Sequence, residues 1–338
     1  ISPFLRTHFA PVVISLDVQG KEPFLPLPDV VADAPVTSLL EVHQYHFDKV
    51  LATLAVEDEL KLAFVRSGSV GATDAWTASG SWLLWSGGLD GRRRFQDDAF
   101  RTSLRQRLVL PDHNAALPCP NENLHHNGPV DLLHSFMHTV RCQPTAGVSK
   151  ALKWRHDTVV RALSDLLRDV AFANQPVPPQ ELLGKEVVVG EVAGVGDAPA
   201  TQLVADLVYR HNMQHANAHR YVFDVSIVEP TNRHGAGEPR GSAADEAARS
   251  KTAKYATILA MVGTTFVPFV LESNGYVGQQ AAEFLTDFAA RWPRSNSRIH
   301  AFLNEVSFAM AKGTGWAGAA GRLRAYHARY QQAQAGAV

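Results

Sequence analysis

Tyr221-Val222-Phe223-Asp224-Val225-Ser226-Ile227-Val228 is apolar at every position except Asp224 and Ser226. Read as a strand, it puts Val222, Asp224, Ser226 and Val228 on one face, and Tyr221, Phe223, Val225 and Ile227 on the other. A carboxylate in the middle of such a strand is costly unless it is paired or bound to a cation. Two further apolar runs, 185–192 and 202–209, precede it after a punctuating set of Pro176, Pro178, Pro179 and Gly184, and both read as strands. The second carries Asp206, an acid of the same character.

Downstream come a loop over 235–241, an alanine-rich helix over 243–260 and a fourth strand over 264–272. Pro268 inside that strand implies a bulge or an edge position. A helix over 281–292 follows. Upstream, Val159, Leu163, Leu166, Leu167 and Val170 fall on one face of a helix over 154–170. Helix, three strands, helix, strand, helix is the order of an α/β sandwich around a mixed sheet flanked by helices, and its boundary is expected near 144–150.

The rest of the chain reads differently. Residues 1–35 are rich in proline and apolar residues without a clear period, while 38–64 carry helical spacing, so 1–66 is a linker and helical segment. A Gly/Ser/Thr loop over 67–80, a helical pattern over 95–110 closed by Pro111, and a His/Cys-rich loop make 67–150 a mainly helical segment. The α/β unit is then 151–292, with 293–338 a helical extension. Gly313, Gly315 and Gly318 have dinucleotide-fingerprint spacing, but no acid follows for the ribose, so they read as a turn between helices. Neither a phosphate loop nor a Gly-x-Ser-x-Gly turn occurs.

With 338 residues, the chain has room for about two domains of roughly 150 residues each. A hydrophobic content of 46% against 19% charged residues excludes a mainly disordered chain. No apolar stretch approaches the roughly 18 residues of a membrane helix, so no membrane partner is expected. A chain opening on Ile1 is expected to be a piece of a longer product. Lys plus Arg, 32, nearly cancels Asp plus Glu, 33. Local charge is more telling: six arginines, Arg101 and Arg105 among them, lie between 91 and 110 against only Asp97 and Asp98. Such a face can meet phosphate or simply be solvated. Two cysteines cannot build a disulfide framework.

Asp206 and Asp224 on neighbouring strands would repel unless a cation joined them, and paired carboxylates suit Mg²⁺ or Mn²⁺. Lys251 and Lys254 on the following helix are the candidate lysines for neutralising developing charge. The same residues also fit strand ends in water and an exposed helix face.

Arg155-His156-Asp157 opening a helix, Ala205-Asp206, 223–228, 251–255, then Phe266-Val267-Pro268, Glu272 and Gly275, taken in order, resemble the restriction-like endonuclease domain of site-specific non-LTR retrotransposons. That domain is of the PD-(D/E)xK class. Ser81-Trp82-Leu83, 100–110 with Pro111, and the span from Cys119 to Cys142 resemble the stretch that precedes it, so the likeness covers roughly 76–320. The resemblance implies a nuclear, Mg²⁺-dependent enzyme that nicks target DNA for insertion and meets the RNA of its element. Asp206 and Asp224 would hold the metal, Lys254 would be the catalytic lysine with Lys251 as its substitute, and Arg155, His156, Arg101 and Arg105 would meet nucleic acid. Ala205 stands where a proline is usual, and Ser226 where lysine is common. The alternative is therefore a catalytically inactive, domesticated module that binds nucleic acid or assembles with partners. The family usually carries a zinc knuckle whose first two cysteines are separated by two residues; here Glu122 stands at the second of those positions, leaving Cys119, His134 or His138, and Cys142 as a chemically sensible Zn²⁺ set.

Overall fold

The computed structural model describes residues 146–171, 183–192, 201–211, 219–229, 241–256, 261–292 and 295–335, with 99, 102–103, 119 and 138 as isolated positions. The segments expected over 1–66 and nearly all of 67–150 lie outside the described residues. The elements are α1 (Ala146–Ala171), β1 (Leu183–Val192), β2 (Thr201–His211), β3 (His219–Val228), α2 (Ser242–Lys254), β4 (Thr264–Glu272), α3 (Gln279–Arg291) and α4 (Asn296–Ala335). The four strands form one mixed sheet in the order β1-β2-β3-β4. The first three make an antiparallel meander, and β4 runs parallel to β3 after the α2 crossover.

The alternation expected in β3 holds. Tyr221, Phe223 and Val225 join Leu207, Tyr209, Val267, Phe269 and Leu271 in the main core, beneath α1, α3 and α4. Val222 turns to the other face with Leu203, Ala205, Val208 and Phe266, where Tyr255 covers it. Ala244 and Ala248 of α2 pack on Val270 beside it. Pro268 keeps register opposite Asp224 without a bulge; its missing N–H is tolerated because β4 is a sheet edge.

Three element boundaries differ from the sequence expectation. α1 starts at Ala146 and not near 154, so Arg155, His156 and Asp157 sit well inside it and do not open it. The extra turns are recruited by packing: Val148 and Ala151 are buried against Ala317 of α4. α2 gives way at Tyr255, which leaves helical geometry at φ −99 and ψ 17 and sends its ring into the sheet face.

The third difference is the glycine run. Gly313, Gly315 and Gly318 do not form a turn; all lie within α4, a single helix of 40 residues. A side chain at Gly313 would start 2.5 Å from the Cβ of Arg155. The glycine is there because α1 and α4 approach too closely for anything larger. Trp154 and Trp316 meet edge-on beside this crossing, with ring centroids 6.4 Å apart.

Candidate functional site

β2 and β3 are paired from His211↔His219 to Leu207↔Phe223, and their ladder stops there. The next residue of β2 is Asp206. Its Oδ2 accepts the backbone N–H of Val225 at 2.7 Å, so a side chain takes the place of the ladder bond. Ala205 and Leu207 consequently belong to opposite faces although they are two residues apart, which means that the alternation slips by one at Asp206. The acid thus opens a notch between the two central strands, with Asp224 on the far side of it.

Asp224 is 7% exposed. The Lys251 ammonium meets its Oδ1 at 2.5 Å, a short, charge-assisted contact that satisfies the buried charge. Tyr255, one turn beyond Lys251 on the same side of the chain, is fully buried and donates its hydroxyl to the Val204 carbonyl at 2.7 Å. Burial, reinforced by the negative charges of Asp224 and Asp206, pushes this phenol well above its ordinary pKa. Both carboxylates therefore act on one hydroxyl.

His156 reaches the notch from α1. Its Nε2 lies 3.5 Å from Asp206 Oδ2, and its Nδ1 3.2 Å from Asp157 Oδ1. The hydrogen bond to Asp206 raises the imidazole pKa to about 9 against the opposing effect of burial, with Asp157 adding to the rise. His156 is a cation at neutral pH. Burial by itself would raise the Asp206 pKa, but His156, the Val225 amide and the Lys251 charge together hold it below the usual carboxylate range. The notch thus brings two carboxyl groups together with an imidazole and an amine, contributed by α1, β2, β3 and α2.

Of the two candidate lysines, the geometry reverses the expected preference. Lys254 is exposed, with its Nζ 5.1 Å from the centroid of the Tyr255 ring, and Lys251 is the lysine at the carboxylate. Arg155 is corrected as a nucleic-acid contact. It is 5% exposed, donates from Nη1 to Thr314 Oγ1 at 2.7 Å and faces Glu229 at 3.7 Å. Its position within α1 aims it at α4 and away from solvent. Burial lowers its pKa, and the Glu229 charge opposes the fall. Asp157 also lies inside α1, where its carboxylate meets His156 Nδ1.

Cys119 is buried and His138 half-buried, while His134, Cys142, Arg101 and Arg105 lie outside the described residues. Among the described residues, no group of three or more His, Cys, Asp or Glu side chains could hold a metal ion. No described helix is long and apolar enough to cross a membrane. Sequence reasoning missed Tyr255 as part of the site and missed Glu229 altogether. The i, i+4 spacing from Lys251 could have found the tyrosine, whereas nothing local marks Glu229 as the partner of a residue on α1.

Compared with known proteins, the chain matches no protein-family model and no curated protein.

Proposed function

We propose that the α/β unit is a metal-dependent DNA endonuclease of the restriction-like PD-(D/E)xK class, of the kind carried by site-specific non-LTR retrotransposons. The observation that carries this reading is the Lys251–Asp224 pair in the notch that Asp206 opens between β2 and β3. A mixed sheet flanked by helices, with an acid on each central strand, supports it.

Such an enzyme implies Mg²⁺ or Mn²⁺. The donor set fits: Mg²⁺ commonly takes one or two carboxylates from the protein and fills its shell with water and substrate phosphate oxygens, so a third acid is not required. Asp206 and Asp224 would hold the ion, which would supply Lewis acidity at a phosphoryl oxygen and a lowered pKa for a bound water. The chain's own residues do the rest. The Val225 amide and His156 fix the Asp206 carboxylate. Lys251, whose ammonium lies at Asp224, would neutralise charge that develops on a phosphoryl group bound there. Tyr255 anchors the end of α2 to β2 and keeps water from the apolar side of the site.

A specific observation favours the second reading, an inactive module that binds nucleic acid or assembles with partners. Lys251 already neutralises Asp224, and Ser226 offers no second amine. Nicking of supercoiled plasmid in Mg²⁺ or Mn²⁺ separates the two. Asp224→Asn is expected to abolish nicking while leaving DNA binding intact; nicking at the wild-type rate by this variant removes the enzyme assignment.

A further inference from the structure

One pair in from the end of their ladder, β2 and β3 place Arg210 and Arg220 directly opposite each other. Like charges so placed destabilise an antiparallel pair, and both side chains are half-buried. Arg220 has its pKa lowered by burial and then by the Arg210 charge. Its Nε is buried without a hydrogen-bond partner, and among the described residues no carboxylate forms an ion pair with it. A buried N–H left unsatisfied beside a second cation is an arrangement that folding by itself disfavours.

The positive character continues around this rim of the sheet. On the other face Arg291 donates to the Tyr221 hydroxyl at 2.5 Å. Burial, together with the Arg291 charge, lowers the pKa of both His211 and His219, which oppose each other across the ladder. An anion at the accessible part of the Arg220 guanidinium would offset the charge that Arg210 places opposite it. Guanidinium forks match phosphate geometry in particular. Strand alternation sets Arg220 on the same face of β3 as Asp224, about 13 Å along the strand.

We propose that Arg220, with Arg210 across the ladder, is a subsite for a phosphodiester further along the same nucleic-acid backbone whose scissile bond lies at Asp224. The choice of a phosphodiester polymer rests on the nuclease reading; the anion site itself rests on the arginine pair.

The test is binding of fluorescein-labelled duplexes of unrelated sequence to the full chain in EDTA over a range of KCl. Arg220→Gln is expected to weaken every duplex alike and to reduce the slope of log K against log salt by about one, with Arg220→Lys retaining the slope. Wild-type affinity and slope in the Gln variant overturn the subsite. If that variant does not fold, the Nε–Hε resonance of Arg220 in the wild-type chain is followed as duplex is added. A saturating shift supports the proposal, and an unmoved resonance sinks it. A chain that binds through Arg220 yet nicks nothing keeps the subsite and removes the nuclease. One that nicks while Arg220→Gln binds normally does the reverse.

Discussion

Lys251 and Lys254 are three residues apart on one helix and chemically identical, yet only Lys251 ends at a carboxylate. The other points past the site, over the outer side of the Tyr255 ring. On the proposed nuclease reading, Lys251→Met is therefore expected to lower the nicking rate by about 100-fold or more, the size of effect seen when one preorganised charge-stabilising group is removed. Lys254→Met should nick as the wild type does. Steady-state nicking of the two variants under saturating Mg²⁺ checks the ranking, and equal losses would refute it. His156 makes a separate prediction. Its folded pKa, about 9, stands above the ordinary 6.5, so the folded state binds the proton more tightly than the unfolded chain does. That stabilisation is complete below about pH 6.5 and disappears as pH rises through about 9. Urea midpoints measured across this window should fall for the wild type and fall less for His156→Gln.

α4 shows why an element can be misread when its residues are read correctly. Three glycines within six positions are a reasonable turn signal, since each costs a helix about 1 kcal/mol relative to alanine. The helix runs through them because the contact with α1 outweighs that cost: Gly313 leaves room for the Arg155 side chain to cross toward Thr314. Gly313→Ala, which would stabilise an isolated helix, is expected here to lower stability, by about 1–3 kcal/mol if the helices cannot separate. A thermal melt of the variant gives the sign directly. β3 is the opposite case. Its period of two was legible because both faces are covered by apolar neighbours, and Asp224 stood out as the polar residue among them.

Across the whole molecule, one buried ion pair ties the parts that build the site. Arg155 on α1 meets Glu229 just past β3, and the same guanidinium bonds Thr314 on α4. Glu229 also accepts the Ser273 hydroxyl from the turn after β4, at 2.5 Å. The pair therefore fixes α1, and with it His156, relative to the strands. Glu229→Gln leaves an uncompensated buried guanidinium, with an expected cost of about 3–5 kcal/mol. Replacing both partners, as in Arg155→Met with Glu229→Leu, should cost much less. Denaturant unfolding of the single and double variants decides whether the pair acts as this tie; equal losses would show that it does not.

The amino-acid sequence by itself determined the element types and their order from 154 to 292, the two-faced character of β3 and the presence of two acids on apolar strands. These are properties of neighbours in the chain, carried by periods of 2 and 3.6 residues. Only the tertiary structure decided which lysine reaches Asp224, that Arg155 is buried while His156 enters the notch, and that the glycines of α4 are a packing surface. Each of those outcomes depends on where a helix lies against a strand or another helix distant in sequence. No local period encodes that distance, because it is set by the side chains that happen to meet there.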